Sequence, residues 1–368
     1  MTPPSMSKCA VLRGPRDVEI TEWPVPEIGD LDGLLRVEAT GVCGADWAPY
    51  KGDRYDFFDP PLILGHEIVG RIEAIGKSAA EKWSVKVGDR VVLEEPLPCW
   101  SCTACLTGVY QMCEAKRYGC KSVNDGVGLW GGYSEYVYLA PNALMRRMSP
   151  DVPAEIATLY VPVSNGLYWV GEVGGLLAGD TVVVQGPGQQ GLGCVIAAKE
   201  AGAAQIIVTG LAADRERFEA ATKLGADVVL PIDECDPVEE VARLTGGEMA
   251  HVVVNVTEGP TAALCQPLRL AGNRARIVHA GNSYAPLTGF EADLVIDKEL
   301  TIRGVRGRYG RALEAAIRLI ESERYPLEVF ATHAYAIEDT ERALLTLGGE
   351  GDPGPIHVSV LPTLGGSE

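Results

Sequence analysis

Four cysteines stand within fifteen residues: Cys99, Cys102, Cys105 and Cys113, in the segment PCWSCTACLTGVYQMC. The spacing C-x2-C-x2-C-x7-C brings successive thiolates onto one tetrahedral ion, and four sulfurs with no open position describe a structural zinc site. An iron–sulfur cluster also takes four cysteines, but it implies electron-transfer partners to which nothing else in the chain points. Upstream, GVCGAD carries Cys43 and GHE carries His66 and Glu67. A thiolate, an imidazole and a carboxylate separated by one loop are zinc-ligand types, although each alone reads equally as a buried small or polar residue.

A second chemistry is phosphate binding. The β-branched run Thr181–Gln185 is followed at once by Gly186-Pro187-Gly188-Gln189-Gln190-Gly191 and then by an alanine-rich helical pattern. Strand, G-x-G-x-x-G and helix in that order form a dinucleotide fingerprint. Gly186 permits the tight turn, Gly188 admits the pyrophosphate, and Gly191 allows close helix–strand packing. Amides of the first helical residues, Gln189 and Gln190, face the phosphates. The second strand of such a unit normally ends on an Asp or Glu that holds the ribose hydroxyls of NAD. Here that position is Gly210, which removes the carboxylate that would repel a 2′-phosphate, and Arg215 or Arg217 could hold that phosphate, an expectation of NADP. The same arginines also fit an exposed helix surface, with Asp214 as its N-cap.

The elements that position these groups follow from pattern. Further strands are predicted at 206–209, 228–232, 251–256, 276–280 and 300–305, with helices between them. The helix 214–224 should stop at Gly225, and 311–322 should face a core through Leu313, Ala316, Ile317 and Ile320. Such alternation makes a doubly wound parallel sheet. At 368 residues the chain suits about two domains. A net charge of −18 disfavours nucleic-acid partners. No run approaches the ~18 apolar residues of a membrane span, and the expected location is cytoplasmic. The ending Gly365–Glu368 reads as a loose tail.

Taken together, GVCGAD, GHEIVGRIEAIG, VGDRV, the four-cysteine lobe, WGGYSEYV and GPGQQGLG resemble, in order, the zinc-containing alcohol dehydrogenase branch of the medium-chain dehydrogenase/reductase superfamily. The resemblance implies an α/β fold: a GroES-like, mostly-β catalytic domain at 1–162 and 305–368, its zinc lobe at about 95–115, and a Rossmann domain at 163–304. It implies NAD(P)-dependent interconversion of an alcohol and a ketone or aldehyde by hydride transfer, in a homo-oligomer. Cys43 and His66 match catalytic-zinc ligands, Asp46 the carboxylate that braces the histidine, and Glu67 a glutamate beside the metal.

Two positions depart from the family pattern. Val161 stands where a third ligand, Cys or Glu, is expected, and Ala45 stands where a Ser or Thr passes the alcohol proton outward. Ala48 removes a second relay group. Glu67 or Asp46 would then complete the metal set. The alternatives are a zinc-independent, NADPH-dependent reductase of polarised C=C bonds and a non-catalytic dinucleotide-binding protein. Between Cys43 and His66 lie Trp47, Tyr50, Tyr55, Phe57 and Phe58, which line a pocket for a bulky apolar substrate or else pack a surface loop. Asn165 is a further pocket candidate.

Overall fold

The computed structural model describes residues 4–258, 265–282 and 286–364, so the tail expected at 365–368 lies outside the described residues. The chain divides into two compact units, Met1–Tyr160 with Phe330–Glu368, and Val161–Val329. The first begins with β1 (Met6–Gly14), β2 (Asp17–Pro24), β3 (Gly33–Gly41), β4 (Leu62–Ile63), β5 (Glu67–Ile75), β6 (Arg90–Leu93), β7 (Tyr136–Leu139) and β8 (Met145–Arg147). Its helix Gly44–Lys51 starts directly after β3, with Cys43 as N-cap and left-handed Gly52 as C-cap.

The second unit supplies β9 (Thr181–Gln185), β10 (Gln205–Gly210), β11 (Val228–Pro231), β12 (Ala250–Asn255), β13 (Ala271–His279) and β14 (Thr301–Gly304). They form one six-stranded sheet in the order β11-β10-β9-β12-β13-β14, with every neighbouring pair parallel. Each residue of β9 is buried, as the continuous Thr-Val-Val-Val run requires of a strand covered on both faces. The order reverses beside β9, the place where such sheets take their ligands. Helix Gln189–Glu200 follows β9, and helix Arg215–Leu224 ends on Gly225 with φ of 115°.

The chain returns to the first unit through β15 (Ala331–Tyr335) and β16 (His357–Val360). These join β3, β5, β6, β7 and β8 in a seven-stranded sheet, while β2, β1 and β4 form a three-stranded one. The sequence boundary at 305 differs from the structure, which keeps 305–329 with the second unit. The reason is packing. Helix Gly310–Glu321 buries Leu313, Ala316, Ile317 and Ile320 and packs against the π-helical segment Leu167–Val173. Arg324 and Tyr325 then both bind the Glu200 carboxylate at 2.8 Å. Among the described residues, no helix is long and apolar enough to cross a membrane.

One glycine fixes the turn between β9 and its helix. A Cβ on Gly191 would stand 1.8 Å from the carbonyl oxygen of Gly186, so any side chain there forces the strand and helix apart. Gly191→Ala is expected to cost about 1–3 kcal/mol; an unchanged melting temperature in thermal denaturation would contradict this account.

Candidate functional site

The four-cysteine lobe is assembled by one short helical turn, Thr103–Leu106, which begins at its N-cap Cys102. Cys99 Sγ lies 4.0 Å from Cys105 Sγ, and Cys102 Sγ 3.9 Å from Cys113 Sγ. A tetrahedral ion with metal–sulfur bonds of about 2.3 Å requires sulfur–sulfur edges of about 3.8 Å, so the spacing fits zinc. Backbone N–H groups of Cys102 and of Cys99 and Ala115 donate to Cys99 Sγ and Cys113 Sγ at 3.3–3.5 Å. Hydrogen bonds from Ser101, the side chain foremost, hold the Cys99 thiol down at about 5. The lobe is a structural zinc site.

A second cluster joins Cys43, His66 and Glu67, whose ligand atoms all lie within 4.8 Å of one another. Strand register makes it. β3 and β5 pair antiparallel with Gly41 opposite Glu67, so the residues just beyond each strand end, Cys43 and His66, meet. Gly41 leaves room for the fully buried Glu67 carboxylate: a Cβ there would come within 2.4 Å of Glu67 Oε2 and 2.9 Å of His357 Cε1. His357 is itself buried, its Nε2 2.7 Å from Thr158 Oγ1.

Asp46, on the first turn of the helix after Cys43, organises this cluster. Its Oδ2 accepts from the Cys43 N–H at 3.1 Å and from the Tyr133 hydroxyl at 2.9 Å. Its Oδ1 lies 3.3 Å from His66 Nδ1, which leaves Nε2 as the ligand nitrogen. Burial, reinforced by the Glu67 charge and opposed by His66, raises the Cys43 thiol. Burial works to lower the His66 imidazole, but Asp46 and Cys43 outweigh it and carry it well above its ordinary value. A soft thiolate, an imidazole braced by carboxylate and a buried carboxylate are the donor set of a zinc ion. A divalent cation held there would be bound by thiolate and neutral imidazole, reversing both proton preferences.

Other candidates fall elsewhere. Trp47 stacks on Tyr50 at 5.4 Å, Phe57 meets Phe58 edge-on at 5.2 Å, and the Arg16 guanidinium lies over both Trp47 and Tyr50. Tyr50 is 2% exposed and donates to Glu341, and Trp47 and Phe57 pack on the same core. Tyr50 and Phe58 lie within that core, Trp47 and Phe57 are partly buried against it, and Tyr55 is exposed. Asn165 is buried and donates to Gln190 Oε1 at 3.0 Å, tying it to the start of the helix after β9. Val161 is a buried hydrocarbon without a donor atom, Ala45 is exposed and Ala48 buried.

In the nucleotide unit, Gly186 turns with φ of 102°, and extended Gly188 caps the helix opened by Gln189 and Gln190. Gly210 ends β10 against the ring of Pro187. The Arg215 side chain is 86% exposed and pairs with Glu219 at 3.4 Å. Asp214 is the N-cap residue of the helix that follows, as expected, while its side chain accepts from the Leu211 N–H rather than from that helix.

A metal-binding unit joined to a doubly wound dinucleotide sheet defines a zinc-dependent dehydrogenase architecture. Residues 29–151 match the Alcohol dehydrogenase GroES-like domain family, and residues 191–322 the Zinc-binding dehydrogenase family. Over 98% of this chain and 100% of the relative, the sequence is 39% identical to "Probable alcohol dehydrogenase adh" of Mycobacterium tuberculosis. It is 34% identical to the erythritol/L-threitol dehydrogenase of Mycolicibacterium smegmatis, over 98% of both chains. Among solved structures, 2R,3R-butanediol dehydrogenase from Bacillus subtilis superposes with a TM-score of 0.84 at 25% identity, covering 97% of this chain and 99% of the other. The chain belongs to the zinc-containing alcohol dehydrogenase family of the medium-chain dehydrogenase/reductase superfamily. It is an NAD(P)-binding enzyme of that type, with a GroES-like domain and a Rossmann sheet.

Tyr133 was not legible as a site residue, because nothing in WGGYSEYV marks its hydroxyl as bound for Asp46. Tyr133→Phe removes one of the bonds fixing Asp46 and is expected to weaken metal binding at Cys43 and His66 by about tenfold. Chelator competition on the purified protein measures it, with the four-cysteine ion as internal reference. Equal affinities would exclude this role.

Proposed function

We propose that this enzyme interconverts a secondary alcohol within a vicinal diol or polyol and the corresponding ketone, with NAD(P) exchanging the hydride. The observation that carries the reading is the convergence of Cys43, His66 and Glu67 within 4.8 Å, with Asp46 buried behind the histidine. A zinc ion held there supplies Lewis acidity to the substrate oxygen. Cys43 and His66 provide sulfur and nitrogen, Glu67 stands in for the donor that Val161 lacks, and Asp46 fixes the imidazole ring. With alanine at both 45 and 48, the alcohol proton leaves without the family's usual hydroxyl and imidazole relay.

Relatives support the substrate class. Erythritol/L-threitol dehydrogenase, sorbitol dehydrogenase of Bacillus subtilis (32% identical) and 2R,3R-butanediol dehydrogenase are all named for substrates with adjacent hydroxyls. A homo-oligomer in the cytoplasm fits the family. Its contact is the edge strand β14, all of whose residues are exposed.

The zinc-independent reductase remains the second reading, favoured by Val161 alone. Metal analysis separates the two: two zinc ions per chain are expected, and Cys43→Ala or His66→Ala should retain one. A single ion in the wild type would remove the zinc-assisted reading. Given two ions, kcat/KM should be higher for 2,3-butanediol and erythritol than for a simple secondary alcohol; the reverse order would refute the diol assignment.

A further inference from the structure

The end of β10 is where a dinucleotide-binding sheet distinguishes NAD from NADP, through the group offered to the adenosine ribose. In this chain no side chain fits at that position. A Cβ on Gly210 would lie 2.8 Å from Pro187 Cγ, in the glycine loop itself, and 3.0 Å from Asp214 Oδ2. The proline that shapes the phosphate loop therefore excludes the usual carboxylate. The carboxylate oxygen found beside the vacant Cβ position belongs instead to a residue four places further on.

We propose that Asp214 replaces the missing strand-end carboxylate and makes NAD the preferred cofactor. The inference rests on the dinucleotide-binding assignment and reverses the lean drawn from Gly210 and Arg215. Asp214 is held in place: the Leu211 N–H donates to its Oδ2 at 2.9 Å and Arg217 Nη1 to its Oδ1 at 3.0 Å, and its side chain is 18% exposed. A second carboxylate borders the same loop, with Asp233 Oδ1 accepting from the Ala212 N–H at 2.8 Å.

The cations nearby are already engaged, Arg217 by Asp214 and Arg215 by Glu219. A ribose diol donates to a carboxylate, as NAD requires. A 2′-phosphate would bring a charge of about −2 beside the same carboxylate, and the arginine there, Arg217, is already paired with that carboxylate. Like charges at such a distance oppose binding. Recruiting Arg217 to the phosphate would first break its pair with Asp214.

Fluorescence titration of the purified full-length protein with NADH and with NADPH tests this directly. The wild type is expected to bind NADH at least about tenfold more tightly. Asp214→Asn keeps the size and an acceptor for Leu211 but loses the charge; it should narrow the preference about tenfold, chiefly by improving NADPH. Asp214→Ser, with a smaller cap-forming side chain, should act in the same direction. A wild type that prefers NADPH would overturn the proposal, with loss of that preference in Arg215→Ala restoring the phosphate role of Arg215, as would a preference untouched by both Asp214 variants. Binding of neither cofactor would remove the dinucleotide assignment itself, a result distinct from an unchanged ratio.

Discussion

A carboxylate with no solvent exposure needs a partner for each oxygen, because an unpaired buried charge costs several kcal/mol. Asp46 Oδ2 accepts from the Cys43 amide and the Tyr133 hydroxyl, and its Oδ1 faces the His66 ring at 3.3 Å as an ion-pair contact. The three groups come from separate places: the cap after β3, the segment before β7 and the residue before β5. Holding them together fixes the ring of His66 in the orientation a metal ligand needs. The metal site is thus built on a polar network that the fold must satisfy whether or not an ion is bound.

The same logic places Glu67. Antiparallel pairing of β3 and β5 puts its carboxylate over Gly41, and the absent side chain of that glycine is the space it occupies. One residue of register slip would turn Glu67 to the other face of the sheet and part Cys43 from His66. In the nucleotide unit a glycine and a proline act as a pair. Pro187 closes over Gly210, and the acidic group beside the nucleotide loop then comes from Asp214. In both units, a position with no side chain decides where a carboxylate can stand.

Much of this was legible along the chain. The cysteine spacing specified the zinc lobe because a metal knuckle is local: its ligands are separated by two to seven residues. The glycine motif was equally local, as were the parallel strands, whose β-branched runs need burial on both faces. Strand starts were less visible, as at β13, which begins at Ala271 rather than 276 because pairing continues beyond the apolar run. The boundary after 304 moved because helix Gly310–Glu321 has an apolar face that does not reveal which sheet it serves. The aromatic cluster was ambiguous for the same reason: composition around Trp47 and Tyr50 cannot distinguish a pocket wall from a packed core.

The sequence by itself determined the ligand types, the zinc lobe, the dinucleotide turn and the family, since each depends on residue identity at short spacing. Tertiary structure decided which distant groups share a charge. It brought Tyr133 to Asp46 and seated Glu67 above Gly41. Such pairings depend on register and close packing between segments far apart in the chain, and no local pattern encodes them.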